Sequence, residues 1–381
     1  MTNRNLPIGT RDEFGVRTEQ KAQVLTDIQA TFKKRGFQKI TTPLIEYRDV
    51  FAPMDRTAYQ PYQMLDEYGD TLVLRPDLTL PIARMMSTTG IEPPVKWYYS
   101  GDIFRVQRRL AGDYNQVTQA GMEIIGYAGR KAEWECLSVA CTVAEQLGLP
   151  AMTLELGQAQ FVDALLAALA LDDATRTELK ATLFAKNLTR YDQLVADLPE
   201  TPFSDVVRQW PWLFGDAATV LATLTPLAQV PELAVMLTEL RATVAFIKAQ
   251  FPKQRITIDL SVPAPQNYYT GMVFRGYTDE TTRFVFSGGR YDRLLASFQN
   301  TALPAVGLSF DVDAVVAMLP QPDQPAPTLI YFDDTQWTHA QALQERTANC
   351  SLCLADSRKA AAAIAAQTGA TLIDLTQEAT K

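Results

Sequence analysis

Histidine is almost absent from this chain: His339 is the only one among 381 residues. One imidazole excludes a His-based metal cluster and a Ser-His-Asp triad. Cysteine is nearly as scarce, and four in a chain this long suit a reducing compartment without a disulfide framework. Cys350 and Cys353 form a CSLC pair, but no second pair or suitably spaced histidine accompanies it. They therefore read as strand cysteines rather than a redox or zinc site. Positive charge is also short, with 35 Lys and Arg against 43 Asp and Glu and a net charge of -8. Such a balance disfavours a phosphate backbone, which is normally met by a basic face, so no tRNA partner is expected unless a local basic patch exists. Long apolar runs are missing too. The longest small-apolar stretch, residues 360–366, is too short to span a bilayer, and MTNRNLPIGTRDEFG at the N-terminus has no apolar signal core. Cytoplasmic residence without a membrane partner is the expectation.

What is present is ordinary for a globular protein: 47% hydrophobic and 20% charged residues. The length allows one large domain with a small appendage, or two to three domains.

Along the chain, Val24, Leu25, Ile28 and Phe32 recur at helical spacing over residues 18–35, and Gly36 stands where a C-terminal cap belongs. A short β-prone run ending at Pro43 follows. Any helix-strand pair of an α+β domain has this pattern. TLVLRPDLTLPIARMM (71–86) reads as a strand passing through Pro76 into a helix. Residues 95–126 read as an antiparallel pair around a polar loop over 107–116. Trp134, Leu137, Cys141 and Leu147 give the next helix. Residues 158–250 turn Leu- and Ala-rich, with Leu233, Leu237, Leu240, Val244 and Ile247 in one stripe, which predicts a helical insertion. The β pattern resumes at RITIDLSV and continues through NYYTGMVFRGY, RFVFSGGRYDRLL and PAVGLSF. QPDQPAP (321–327) marks a boundary. The two domains expected are residues 1–320, with the insertion, and residues 327–381. Beyond the boundary, strands at TLIYF, CSLCL and TLIDL alternate with helices over 336–347 and 357–368, which favours a small parallel sheet.

Several segments, in order along the chain, resemble the signatures of histidyl-tRNA synthetase, a class II aminoacyl-tRNA synthetase. They are LRPDLTLP (74–81), GDIFRVQRR (101–109), QAGMEIIG (119–126), APQNYYTG (264–271), SGGRYDRLL (287–295) and PAVGLSFDVDAV (304–315). The resemblance runs from residue 6 to about 319. It implies an α+β fold with an antiparallel sheet flanked by helices, a helical insertion and a small C-terminal α/β remnant. It also implies that the first helix-strand pair builds a dimer interface.

By the same resemblance, Asp77, Thr79 and Gln119 stand where the family binds the substrate's α-ammonium group, and Glu123 stands near its imidazole. Tyr268 and Tyr269 supply an aromatic wall and a hydroxyl donor. Acids at both ends with a phenol suit a cationic amine and an imidazole N–H. The alternative is that these polar groups merely satisfy one another after the site decayed. The glycines of SGGRYDRLL serve equally well as a tight turn.

The chain departs from the family where ATP is handled. Arg105, the second motif's arginine, survives, but Gln107 replaces the acidic residue two positions on. Ala264 and Ala314 replace arginines of the histidine-specific segment and the third motif. Each lost charge-stabilising group costs about 2.7–4 kcal/mol, or roughly 100- to 1,000-fold in rate. Two independent losses cost on the order of 10,000-fold or more.

A synthetase-like core without adenylating residues, followed by a shortened tail, resembles the regulatory-subunit family of ATP phosphoribosyltransferase. The tail beyond Pro327 is acidic, with four Lys or Arg against six Asp or Glu. That resemblance implies a non-catalytic subunit of the first step of histidine biosynthesis, without cofactor or metal. It implies a hetero-octamer with the short-form catalytic subunit and feedback inhibition by histidine. An active histidyl-tRNA synthetase and a tRNA-sensing module stand as alternatives, and the acidic balance disfavours the second.

Overall fold

The computed structural model describes residues 4–54, 60–106, 114–149, 151–281, 283–323 and 325–380, without the side chains of 378–380. It divides into two compact units, Met1–Leu319 and Pro320–Lys381. Among the described residues no helix is long and apolar enough to cross a membrane.

The larger unit is built on one nine-stranded sheet. From one edge its strands run Gln38–Lys39, Val95–Phe104, Gln116–Ile125, Ala305–Asp311, Phe286–Arg290, Met272–Tyr277, Thr153–Gln158, Arg255–Asp259 and Phe214–Asp216. The middle is antiparallel. The pairings of Gln38–Lys39 with Val95–Phe104 and of Thr153–Gln158 with Arg255–Asp259 are parallel, so the sheet is mixed and not purely antiparallel. The β-prone run before Pro43 yields only the two residues Gln38–Lys39. Ile45–Tyr47 beyond the proline joins Thr71–Leu74 and Gln63–Leu65 in a separate small sheet.

Helix Val16–Lys34 buries Val24, Ile28 and Phe32, and Gly36 follows it with φ 80°, a conformation glycine adopts without the Cβ penalty. Helix Lys131–Gln146 covers the same core. The helical insertion comprises Phe161–Ala168, Asp173–Phe184, Leu188–Ala196, Ser204–Gln209, Ala217–Thr223 and Pro231–Gln250. The last buries Leu233, Leu237, Leu240, Val244 and Ile247, each worth about 1.5–3 kcal/mol of transfer free energy. These side chains share one hydrophobic core with Met122, Leu154, Phe274 and Phe310 of the sheet. The insertion is therefore a layer of the same body, and the short strand Phe214–Asp216 within it closes the sheet's edge.

The smaller unit carries a parallel sheet ordered Cys350–Cys353, Thr328–Tyr331, Thr371–Asp374, with helices Trp337–Arg346 and Arg358–Thr368. Cys350 and Cys353 lie three apart on one strand, and strand alternation sends them to opposite faces. Both thiols are free.

Candidate functional site

Strand Thr71–Leu74 delivers Arg75, Pro76 and Asp77 to the start of helix Thr79–Thr88. Asp77 Oδ1 accepts the Leu80 N–H at 2.9 Å, which fixes the carboxylate at the helix entry. Asp77 is buried, and that burial pushes its carboxyl above the ordinary range against the opposing pull of the Arg105 guanidinium. Arg105 follows strand Val95–Phe104 and donates from Nε to the Pro76 carbonyl at 2.7 Å, so the two motifs are stitched together beside Asp77.

Glu123, in strand Gln116–Ile125, is 1% exposed. Its Oε1 accepts from the Thr79 hydroxyl at 2.8 Å and the Tyr99 hydroxyl at 3.3 Å, and Oε2 accepts from the Tyr291 hydroxyl. Burial, joined by the nearby Asp77 charge, pushes the Glu123 carboxyl up to about 8, although the hydroxyls of Tyr291, Thr79 and Tyr99 pull the other way. Its place depends on a missing side chain across the ladder. Gly307 is the Cα partner of Glu123, and a Cβ there would lie 1.8 Å from Oε2.

Tyr268 and Tyr269 come from the segment between Arg255–Asp259 and Met272–Tyr277, with ring centroids 5.0 Å apart. Tyr268 also meets Tyr291 edge-on at 5.9 Å. The segment is tied to SGGRYDRLL: the Thr270 N–H donates to the Arg290 carbonyl at 2.8 Å, and the Asp292 N–H to Thr270 Oγ1 at 2.9 Å. Arg290 is held by a bidentate pair with Glu133, Nε to Oε1 at 2.5 Å and Nη2 to Oε2 at 2.6 Å. Thus SGGRYDRLL is more than a glycine turn: it anchors the tyrosine loop and aims Tyr291 at Glu123.

Asp77, Thr79, Gln119, Glu123, Tyr268, Tyr269 and Arg105 all line one cavity of about 90 Å³. Tyr99, Tyr291, Gln266, Ser287 and Ser309 line it as well, and the motif reading did not single them out. Tyr291 sits inside a segment already recognised by its glycines, so its signal was present. Ser309 becomes visible only through strand register, opposite Gly121 and Ser287.

The remaining positions lie elsewhere. Gln107 falls outside the described residues. Ala264 lines a neighbouring cleft of about 510 Å³ that shares Gln266, Tyr268 and Tyr269 with the cavity and is bounded by Lys180 and Phe184 of the insertion. Ala314 is buried in helix Val312–Met318 and is not among the cavity's walls. Beside it, Asp313 accepts the Thr118 N–H at 2.8 Å and pairs with Arg11 at 2.7 Å and Lys21 at 2.8 Å, so its charge is spent on the N-terminal segment.

The mixed sheet with its pocket between helix entry and strands is that of class II synthetases. A profile described as Histidyl-tRNA synthetase matches residues 9–315. A solved histidyl-tRNA synthetase from Nostoc sp. PCC 7120 superposes with TM-score 0.76 at 18% identity, covering 96% of this chain and 89% of that one. This is a histidyl-tRNA synthetase-like class II fold.

Within it, the chain is 52% identical over 376 residues to the ATP phosphoribosyltransferase regulatory subunit of Lacticaseibacillus paracasei, covering 98% of each. The regulatory subunit of Lactiplantibacillus plantarum is 44% identical over 373 residues, 97% of each chain. A Bacillus halodurans structure described as an ATP phosphoribosyltransferase regulatory subunit/histidyl-tRNA synthetase superposes with TM-score 0.83 at 26% identity over 97% of both chains. The chain belongs to the ATP phosphoribosyltransferase regulatory-subunit family. Its role in histidine biosynthesis is regulatory and not catalytic, and membership implies a catalytic subunit as partner.

Proposed function

We propose that the cavity binds free histidine and that its occupancy sets the activity of the catalytic partner. The observation that carries this reading is the convergence of Asp77, Thr79, Gln119, Glu123, Tyr268 and Tyr269, from separate segments, on one cavity. An acid beside Thr79 and Gln119 suits an α-ammonium group. Glu123 with its ring of hydroxyls suits an imidazole N–H, and the tyrosines suit the ring face. The replacement of two arginines by Ala264 and Ala314 supports binding without adenylation.

Regulation follows from linkage. Histidine that binds one state of the assembly more tightly shifts the population toward that state, by no more than its differential affinity. The state so favoured is the one with the less active catalytic subunit. The assembly is a hetero-octamer in which this chain pairs with its own copy through the class II core, and it resides in the cytoplasm without tRNA.

Calorimetry with histidine on the wild type, Asp77→Ala and Glu123→Ala tests the pocket, and a phosphoribosyltransferase assay with the co-purified partner tests the role. Both variants lose histidine affinity and histidine inhibition. Unchanged affinity in both removes this cavity from the mechanism, and histidine-dependent pyrophosphate exchange by the purified chain restores the synthetase reading.

A further inference from the structure

The chain carries a net charge of -8, yet its cations are not spread evenly. An open cleft of about 620 Å³ is lined by Lys96, Arg130 and Lys131, with Glu135 as the one carboxylate among its described walls. The cleft shares no residue with the cavity. Strand Gln116–Ile125 gives Glu123 to the cavity and Ile124 to the cleft, and strand alternation sends these neighbours to opposite faces.

Glu135 is already shared by two bases, Arg35 at 3.2 Å and Lys96 at 3.0 Å. Lys96 also donates to the Arg35 carbonyl at 2.9 Å, and helix Val16–Lys34 ends on Lys33 and Lys34 just before Arg35. Arg130 and Lys131 make no side-chain hydrogen bond or ion pair among the described residues. A positive surplus therefore stands on an otherwise acidic molecule. Between the charges the floor is apolar: Ile124 and Ala132 are buried, while Tyr127 at the rim is 45% exposed. An acidic partner is repelled by the net charge of this chain and drawn to this one opening. At this volume the cleft admits a loop or a terminus and not a folded domain. Three wall cations beside an apolar floor suit a protein segment better than a phosphate backbone, which is met by a longer basic face.

The cleft is also bonded to the far side of the sheet. The Tyr127 carbonyl accepts from Arg290 Nη1 at 3.3 Å, and Glu133, two residues beyond Lys131, holds Nε and Nη2 of the same guanidinium. The Arg290 carbonyl in turn accepts the Thr270 N–H, next to Tyr269. One arginine thus stands between the rim of the cleft and the loop that walls the cavity.

We propose that this cleft docks an acidic loop or terminal segment of the catalytic subunit, with its carboxylates on Arg130 and Lys131 and an apolar side chain beside Tyr127. The proposal stands on family membership and on the charge of this surface, whatever occupies the cavity. Arg290 is the element through which docking is felt at the tyrosine loop.

The test measures association of the purified full chain with the purified catalytic subunit, by interferometry over a range of salt and by activation of phosphoribosyl transfer. Arg130→Glu and Lys131→Glu each weaken association by at least about 10-fold at low salt, because they set like charge against the docked segment. Arg130→Gln and Lys131→Gln weaken it in the same direction, and Arg130→Lys, which keeps the charge, stays near the wild type. Lys253→Glu, exposed and outside the cleft, changes the net charge equally and leaves association within about twofold. Thermal unfolding of each preparation reports that it is folded, and calorimetry with histidine on the isolated variants reads the cavity separately. A benzoylphenylalanine photo-crosslinker in place of Tyr127 captures the catalytic subunit. Wild-type association in both reversals, equal weakening by Lys253→Glu, or capture of only a second copy of this chain overturns the proposal. So does loss of binding to a transfer RNA transcript in reversals that still associate normally with the subunit, which assigns the cleft to nucleic acid.

Discussion

The Thr79 hydroxyl, in the first turn of helix Thr79–Thr88, donates to Glu123 Oε1 across 44 residues of chain at 2.8 Å. The bond joins the Asp77 end of the cavity, proposed above for an ammonium group, to the Glu123 end, proposed for an imidazole. It also helps hold Glu123 as a buried acid, whose proton bears on protein stability and, in the proposed role, on ligand recognition.

The stability consequence has a definite sign. The Glu123 carboxyl is raised from 4.5 to about 8 in the folded protein, so between those values the folded state holds a proton that the unfolded state has released. Its stabilising contribution is full below about 4.5, declines as pH rises, and is gone above about 8. Denaturant unfolding from pH 5 to 9 should show the wild type losing a few kcal/mol relative to Glu123→Gln, at about 1.4 kcal/mol per pH unit. A pH-independent difference between the two contradicts the buried-acid description.

Histidine affinity should be bell-shaped in pH. The imidazole and Glu123 hold one proton between them in the complex. Below about 6.5 the free ligand is already charged and one proton must leave; above about 8 the empty site has lost its proton and one must be taken up. Affinity therefore peaks between these limits, and Glu123→Gln flattens the alkaline side. Calorimetry in buffers of different ionisation heat measures the protons directly.

Gly307→Ala should abolish binding at modest cost to the fold. The new Cβ, 1.8 Å from Glu123 Oε2, forces the carboxylate off its hydroxyls. Overpacking of this kind costs typically about 1–3 kcal/mol. Thermal unfolding and histidine titration of the same preparation separate the two effects, and near-normal affinity would show that the position of Glu123 is not critical.

Glu133→Ala should be more damaging to stability than any change in the cavity. Arg290 is 7% exposed and its guanidinium makes two bonds to Glu133. Removing the carboxylate leaves the buried guanidinium only Asp292 Oδ1 at 3.0 Å and the Tyr127 carbonyl at 3.3 Å, so the cost should approach, from below, the about 3–5 kcal/mol typical of a buried charge stripped of its partner. Because Arg290 and Asp292 also anchor the Tyr268 and Tyr269 loop, the surviving folded fraction should bind histidine weakly. Urea unfolding gives the first number and calorimetry the second.

Local patterns announced much of this architecture. The first helix, the antiparallel pair flanking the loop expected over 107–116, the Leu stripe of Pro231–Gln250 and the alternating tail are all periodic or bounded by glycine and proline, and the described strands and helices have the form these patterns imply. Strands Thr153–Gln158 and Phe214–Asp216 were not legible. The first contains a glycine and pairs with Met272–Tyr277, more than a hundred residues away, and the second is three residues long inside a helical region. Tertiary pairing, not propensity, makes them strands. Among the cavity's walls, seven side chains were legible because they sit in recognisable segments. Tyr99 and Ser309 were not singled out, although Ser309 lies in PAVGLSFDVDAV, since their direction depends on a register that only the assembled sheet defines.

The walls of the cavity come from residues 77–123 and 265–309, with the whole insertion threaded between them. A small molecule gripped by both stretches works as a removable staple. In the proposed role it would add to the pairing of Gln116–Ile125 with Ala305–Asp311 that already joins the two stretches, and would stabilise the folded chain by mass action. If histidine is the occupant proposed above, heat resistance should rise and fall with its concentration.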